Sequence, residues 1–284
     1  MNEILVIDKP ESWTSRDVVN KISHKFNTRR VGHLGTLDPI ATGVLIVVLG
    51  EAVKLTDLII NDTKEYIATA KIGIKTDTLD ITGNVLETSN IVPQREELEK
   101  VLKTFLGKSI QEVPLYSSVK VNGRRLYDYA RNNIDVILPK REIEIFDIEL
   151  LNYSNDTFTF KVLVSKGTYI RSLIRDIGSK LNICCTMTNL RRTNQAGIDI
   201  SNAYSLEDIL NDKYKSLTFN DLLKDYPFVI VDSYLEKKIK NGRPLENRYD
   251  FDRFIYQNEE GKILAIYEVS SDKKQVKPYK VFNL

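Results

Sequence analysis

Residues 31–43 combine one carboxylate, Asp38, and one imidazole, His33, with three glycines. A carboxylate can act as a nucleophile or an electrostatic stabiliser, and an imidazole can exchange protons near neutral pH. Pro39 follows Asp38 directly and favours an extended backbone at the aspartate. The segment could therefore present catalytic groups from a rigid loop, although Asp-Pro beside glycines is also typical of an ordinary turn.

The glycines of this segment match neither of two phosphate-binding motifs. A P-loop ends in Gly-Lys-Ser/Thr, whereas Val44 follows Gly43. The spacing of Gly32, Gly35 and Gly43 also differs from the G-x-G-x-x-G pattern of dinucleotide-binding proteins. Neither motif therefore supports a nucleotide cofactor.

The segments around this loop contain patterns of regular structure. The uninterrupted apolar residues 44–49 predict a strand buried on both faces. Thr14 and Asp17 form a capping-box pattern, which predicts the start of a helix. Residues 64–73 predict a strand with Tyr66 on its buried face, and residues 52–59 predict one or two helical turns.

Further elements follow along the chain. Residues 93–107 predict an amphipathic helix, and Leu106 is the last residue on its inner, apolar face. Residues 142–151 and 157–164 alternate as two antiparallel strands, and a helix follows with Arg171 and Arg175 opposite its apolar face. From about residue 227 the pattern predicts a small, mostly β domain with a Lys-rich tail.

Residues 114–131 interleave tyrosines with basic side chains. Such a mixture can stack on bases and pair with phosphates of RNA. A solvated helix face explains the same pattern equally well. The net charge of +2, from 41 basic and 39 acidic residues, indicates that any polyanion must be bound by local patches.

Composition excludes several classes of protein. The 284 residues are 42% hydrophobic and 28% charged, which is ordinary for a globular protein of one large or two smaller domains. No apolar run approaches the ~18 to 20 residues that span a bilayer, and we see no signal peptide. We therefore expect a cytoplasmic protein. The adjacent Cys184 and Cys185 suit neither a disulfide nor a zinc site, so we expect no bound metal.

Taken together, five separated stretches closely resemble the TruB-type family of tRNA pseudouridine synthases, and the similarity runs from Asp8 to about Gly197. In order they are Lys9-Pro10 with Thr14-Ser15, residues 32–39, Lys64-Glu65-Tyr66 with Thr76-Asp77-Thr78, residues 114–131, and residues 166–171 with residues 190–193. Each stretch alone is a weak signal, but all five in this order are specific. They favour a catalytic Asp38 over a simple turn.

The resemblance implies isomerisation of uridine 55 in the T loop of tRNA to pseudouridine, without a cofactor. It also implies a mixed α/β (α+β) fold around a mainly antiparallel sheet, with a catalytic domain at residues 1–226. A PUA-like RNA-contacting domain would occupy residues 227–284. We expect a monomer whose partner is the T stem-loop of tRNA.

Roles for individual residues follow from the same resemblance. Asp38 would attack C1′ of the ribose or carbon 6 of uracil, or stabilise positive charge at C1′. Arg171 would pair with Asp38, and Tyr66 would stack on the extruded uracil and shuttle a proton. The implied substrate-binding residues are His33, Tyr169, Leu190, Lys9 and Lys54, the two lysines supporting the loop or contacting phosphate.

The chain departs from the family pattern at three places. Ser12 stands where glycine is usual, Val113 where proline is usual, and Asn132-Asn133 replace a glycine after Ala-Arg.

Three alternatives to the implied function remain: a tRNA-binding or chaperone protein without turnover, a nucleotide hydrolase using Asp38 and His33, and a synthase for another RNA uridine.

Overall fold

The computed structural model describes residues 2–59 and 63–283. The strands in these ranges are β1 (Ile4–Lys9), β2 (Val31–His33), β3 (Thr42–Leu49), β4 (Lys64–Ile72), β5 (Ile74–Thr76), β6 (Val85–Thr88), β7 (Gly107–Glu112), β8 (Lys120–Val121), β9 (Arg124–Arg125), β10 (Lys140–Tyr153), β11 (Thr157–Val164), β12 (Cys185–Gln195), β13 (Ile198–Asp199), β14 (Tyr204–Ser205), β15 (Phe228–Val231), β16 (Leu245–Glu246), β17 (Arg253–Asn258), β18 (Ile263–Val269) and β19 (Gln275–Val281). The helices are α1 (Ser15–Lys25), α2 (Thr56–Ile59), α3 (Arg95–Lys103), α4 (Leu126–Arg131), α5 (Ile170–Lys180), α6 (Leu206–Leu210), α7 (Phe219–Leu223) and α8 (Ser233–Lys240), with 3₁₀ turns at Gly50–Leu55 and Ile200–Asn202.

A large sheet with strand order β14-β1-β3-β12-β4-β11-β10-β7 forms the centre of the molecule. The β1–β14 and β3–β12 pairs are parallel, and the remaining pairs along this order are antiparallel. The prediction of a mixed, mainly antiparallel sheet is therefore confirmed.

Strand β3 is buried on both faces, as its apolar sequence predicts. Leu45 and Val47 pack into one hydrophobic cluster, whereas Val44, Ile46 and Val48 pack into a second cluster on the other face. Helices α1, α3 and α5 contribute to the first cluster. Because side chains alternate along a strand, this double burial fixes the register of β3 and of the loop that precedes it.

Gly43 permits the close approach of β3 to β12. Its φ angle is +99°, and a Cβ atom there would lie 2.2 Å from the backbone oxygen of Arg192. Any side chain at this position would force the two strands apart. The segment of residues 31–43, which carries Asp38, therefore packs directly against β12.

The C-terminal residues form a separate five-stranded sheet with order β15-β17-β18-β19-β16, which agrees with the expected mostly β region. This sheet packs on the large one, because Ile255, Ile266 and Phe282 belong to the same cluster as Ile4 and Val44.

Two local expectations need correction. Helix α3 ends at Lys103, so Leu106 lies beyond it and is 48% exposed rather than internal. The predicted helical segment at residues 52–59 is divided: its first four residues belong to the 3₁₀ turn, and its last four form α2.

The departures from the family pattern have a backbone explanation at two positions. Ser12 has φ +67° and Asn133 has φ +51°, in the left-handed region that glycine adopts at least cost. Asparagine tolerates this conformation better than most residues, whereas serine does so less readily. Val113 is fully buried where proline is usual.

Candidate active site

A pocket of about 1070 Å³ opens beside the loop that carries Asp38. Six of the eight site residues expected from the sequence line it: His33, Asp38, Tyr66, Tyr169, Arg171 and Leu190. They come from the β2–β3 connection, β4, the start of α5 and β12, which are distant in sequence. The fold thus brings together residues that the sequence separates.

The Asp38 carboxylate is held by the Arg171 guanidinium through two hydrogen bonds. Arg171 donates from Nε to Oδ2 at 2.9 Å and from Nη2 to Oδ1 at 3.1 Å. Two parallel charge-assisted bonds fix both the position and the plane of a carboxylate. The Arg171 side chain is only 5% exposed, whereas that of Asp38 is 32% exposed, so the carboxylate keeps one side open to the pocket.

Two of the three remaining N–H donors of Arg171 also form hydrogen bonds. Nη1 donates to the Thr78 carbonyl oxygen at 2.9 Å, and Nη2 donates to the Tyr116 carbonyl oxygen at 3.1 Å. The carboxylate of Asp80 lies 3.9 Å from Nη1. A guanidinium with four of its five N–H groups in hydrogen bonds cannot rotate freely, which makes Arg171 a fixed support for Asp38.

Asp80 is a buried member of the site that the sequence interpretation did not single out. Its Oδ1 accepts from the Thr78 hydroxyl at 2.9 Å and from the backbone and hydroxyl of Thr82 at 3.0 and 2.6 Å. These bonds close the turn that offers the Thr78 carbonyl to Arg171. The hydroxyl-rich sequence around the Thr76-Asp77-Thr78 motif was the available signal.

The floor of the pocket is formed by one face of the sheet. Tyr66 is paired with Arg192, and Leu190 with Ala68, across the antiparallel β4–β12 ladder. Residues directly opposite each other in such a ladder project from the same face. The tyrosine ring and the leucine side chain therefore form one apolar surface on which a planar base can stack.

Arg192, also not anticipated, is fully buried beneath the loop. Its Nε donates to the Val44 carbonyl at 2.7 Å and its Nη2 to the Gly35 carbonyl at 3.2 Å. These bonds connect β12 to both ends of the segment that carries Asp38. The sequence feature that could have indicated Arg192 was a second arginine on the strand that carries Leu190.

His33 lines the pocket, and its Nδ1 is buried without a hydrogen-bond partner among the described residues. Burial lowers the pKa of this imidazole below 6.5, and the charges of Arg16 and Arg192 lower it further. His33 is therefore neutral at neutral pH.

The expectation that Lys9 contacts phosphate is corrected by its burial. Its Nζ donates to the carbonyl oxygens of Pro10, Trp13 and Pro39 at 2.7, 2.6 and 3.3 Å, and the residue is fully buried. Burial lowers the pKa of its ammonium to about 8, against the opposing effect of Asp38. Lys9 supports the loop from below, which was the other role expected for it.

Lys54 is also absent from the residues that line the pocket. Its Nζ donates to Glu51 Oε2 at 2.6 Å and to the Val281 carbonyl at 2.6 Å. It therefore joins the 3₁₀ turn after β3 to the C-terminal strand, and its expected contact with the substrate stays a prediction. Such a contact between distant segments has no local signature in the sequence.

Residues 116–131 border the pocket through tyrosines and basic side chains. Lys120, Arg125, Tyr127 and Arg131 line it, and the guanidinium carbons of Arg125 and Arg131 lie 5.6 and 5.5 Å from the centre of the Tyr127 ring. The helix in this segment, α4, has only six residues. The segment faces the pocket, which favours RNA contact over a merely solvated helix.

The described ranges contain neither a group of metal-binding side chains nor a membrane-spanning helix. Within residues 2–59 and 63–283, no three His, Cys, Asp or Glu side chains are grouped as a metal site would require. No helix in the same ranges is long and apolar enough to cross a bilayer.

The fold is shared with proteins in complexes of known structure. The chain matches the protein in "Crystal Structure of a Cbf5-Nop10-Gar1 Complex" with a TM-score of 0.75 and 24% identity, covering 98% of this chain and 84% of that one. It matches "Structure of H/ACA RNP bound to a substrate RNA containing 2'-deoxyuridine" with a TM-score of 0.75 and 22% identity, covering 99% and 85%. At this identity the similarity concerns the fold.

Sequence comparison identifies the family to which this chain belongs. Residues 23–170 match the model of the TruB family pseudouridylate synthase (N terminal domain). The tRNA pseudouridine synthase B of Caldicellulosiruptor saccharolyticus is 46% identical over 248 residues, covering 87% of this chain and 85% of that protein. The protein of the same name from Staphylococcus saprophyticus is 40% identical over 308 residues, covering 99% of each. The chain belongs to the TruB family of pseudouridylate synthases.

Proposed function

We propose that this protein isomerises uridine 55 of the tRNA T loop to pseudouridine and uses Asp38 as its nucleophile. Membership of the TruB family and the names of its relatives support pseudouridine synthesis in tRNA. The observation that carries the proposal is the Asp38 carboxylate, which Arg171 holds with two bonds at the wall of an open pocket.

The reaction needs no oxidation and no activated phosphate. The bond between uracil N1 and ribose C1′ breaks, a bond between carbon 5 and C1′ forms, the proton on carbon 5 leaves and N1 gains one. Asp38 supports this exchange by attacking C1′ or carbon 6, or by stabilising positive charge at C1′. Arg171 keeps the carboxylate oriented in each of these three routes.

The other pocket residues hold the base that has left its stack. Extrusion of a base costs a few kcal/mol, and stacking on Tyr66 with apolar contact to Leu190 offsets part of this cost. The Tyr66 hydroxyl moves the proton from carbon 5. Tyr169 closes the pocket, and the neutral His33 lies beside the space of the displaced nucleotide.

The basic and aromatic residues 116–131 contact the RNA strand next to the extruded nucleotide. The partner is the T stem-loop of tRNA, which places the enzyme in the cytoplasm. We place the domain boundary at residue 226, because α7 ends at Leu223 and the C-terminal sheet begins at Phe228.

The test uses tRNA transcripts with tritium at carbon 5 of uracil, because replacement of the carbon-5 proton releases the label. We expect release of about one equivalent per tRNA, and no release when uridine 55 is replaced by cytidine. Release from both transcripts would indicate another uridine as the target. Free uracil in the products would indicate a hydrolase, and RNA binding without release a binding protein.

A further inference from the structure

The outermost strand of the large sheet, β7, ends beside the first turn of α5. Gln111 on this strand is 3% exposed. Its Oε1 accepts a hydrogen bond from the Tyr169 backbone N–H at 2.8 Å, and its Nε2 donates to the Tyr169 carbonyl oxygen at 3.1 Å. One side-chain amide thus binds both backbone polar groups of a single residue.

Tyr169 needs an external partner at this place. It is the N-cap residue of α5, and its own side chain makes no capping hydrogen bond. An N-cap residue without such a bond leaves the start of a helix poorly fixed. Arg171 follows two residues later, so movement of Tyr169 would also move the guanidinium that holds Asp38.

The neighbouring strand contacts the same residue from another side. Arg141 on β10 lies directly opposite Gln111 in the β7–β10 ladder, so the two side chains project from one face. The guanidinium carbon of Arg141 is 5.6 Å from the centre of the Tyr169 ring. Gln111 therefore holds the backbone of Tyr169 while Arg141 lies over its ring.

We propose that Gln111 is a positioning residue, which sets Tyr169 and through it Arg171 in the geometry that turnover requires. The inference rests on the proposed function. Small errors in the placement of reacting groups cost large factors in rate, even when substrate binding is preserved. Loss of the amide should therefore lower kcat far more than it changes KM.

Three variants separate positioning from general stability. Gln111→Met keeps the length of the side chain and removes both bonds. Gln111→Glu keeps the acceptor for the Tyr169 N–H but regains the donor for the carbonyl only when its carboxyl group is protonated. Ser172→Ala is the matched control, because it removes a different 2.9 Å bond between α5 and the Glu112 carbonyl of the same strand.

We expect kcat of Gln111→Met to fall by about tenfold or more with KM for tRNA within about twofold. The Tyr169 amide should exchange with solvent about tenfold faster in this variant, whereas the Ile177 amide in the same helix keeps its rate. The kcat of Gln111→Glu should lie between those of Gln111→Met and wild type, because the new side chain keeps the bond from the Tyr169 N–H but loses the bond to the Tyr169 carbonyl oxygen. Ser172→Ala should keep the wild-type kcat.

Unchanged kcat or unchanged Tyr169 exchange in Gln111→Met would overturn the proposal, as would an equal loss of kcat in Ser172→Ala. If Gln111→Met fails to fold, Gln111→Glu decides: a wild-type kcat in this variant contradicts a role for the donated bond. Amide exchange does not depend on catalysis. If wild type fails to convert tRNA, the proposed function fails while exchange still tests the contact.

Discussion

Arg171 binds both carboxylate oxygens of Asp38, at 2.9 and 3.1 Å, although 133 positions separate the two residues in the chain. The aspartate comes from a loop before β3 and the arginine from the first turn of α5. Since the arginine also donates to the carbonyls of Thr78 and Tyr116, it fixes the loop, the helix and two further turns relative to one another. The position of the Asp38 carboxylate therefore depends on the guanidinium shape of Arg171 and not only on its positive charge.

The first prediction concerns that distinction. Arg171→Lys keeps the charge but loses the planar pair of donors, so we expect kcat to fall by about 100-fold with tRNA affinity nearly unchanged. Single-turnover tritium release and filter binding measure the two quantities. Arg175→Lys, one turn further along α5 and paired with Glu112 and Asp176, is the control. Equal turnover in Arg171→Lys and wild type would contradict the need for two-point binding.

Tyr66 gives a second prediction. Tyr66→Phe keeps the ring that stacks on the base but loses the hydroxyl, so turnover should fall at least about 100-fold while RNA binding persists. Single-turnover kinetics with labelled tRNA measures the loss. Tyr153→Phe serves as control, because its hydroxyl donates to the Pro93 carbonyl outside the pocket. Wild-type turnover in Tyr66→Phe would remove the hydroxyl from the mechanism.

The titration of His33 provides a third prediction. Burial, and then the charges of Arg16 and Arg192, lower the pKa of His33 below 6.5. The unfolded chain therefore takes up a proton at higher pH than the folded protein, and this contribution to stability is lost as the pH falls below about 6.5. NMR titration of His33 checks the direction.

In Arg16→Gln, one of the two neighbouring charges is removed, so the pKa of His33 should rise toward 6.5. A His33 pKa above 6.5 in the wild type, or the same pKa in Arg16→Gln, would contradict the electrostatic account.

Ser12 supports a fourth prediction, on stability. Its φ of +67° is costly for serine, so Ser12→Gly should raise the free energy of unfolding by about 0.5 to 1 kcal/mol. The backbone bond from Ser12 N–H to the Pro39 carbonyl at 2.9 Å is retained by glycine. Urea denaturation measures the change.

The exposed Ser271 lies outside the positive-φ residues and undergoes the same chemical change in Ser271→Gly. Glycine there adds only freedom to the unfolded chain, so stability should stay constant or decrease. A gain of equal size in both variants would show that backbone strain at Ser12 is not the cause.

Local patterns predicted much of the fold because their determinants lie within a few residues. The Thr14–Asp17 capping box starts α1 as expected, and the alternation of β4 buries Tyr66 as expected. Leu106 was misassigned because helical periodicity cannot show that a helix ends at Lys103.

The site was predictable only in part. A family motif indicates Asp38, Tyr66 and Arg171, whose side chains line the pocket. One partner of Lys54, the Val281 carbonyl, lies in another part of the chain, and tertiary contacts of this kind leave no local periodicity. Gln111 was missed for the same reason, because its role depends on bonds to Tyr169 that only the folded chain creates. The bonds of Asp80 to Thr78 and Thr82 are local, but its place beside Arg171 is also a tertiary contact.

The most direct measurement compares wild type with Asp38→Asn and Asp38→Ala in tritium release from tRNA labelled at carbon 5 of uracil, with tRNA binding recorded in parallel. Both substitutions remove the nucleophilic carboxylate, and asparagine keeps its shape. We expect release of about one equivalent by wild type, none by either variant, and tRNA affinity within a few-fold of wild type for all three. Release by Asp38→Asn or Asp38→Ala at a rate near that of wild type would contradict the central role of Asp38.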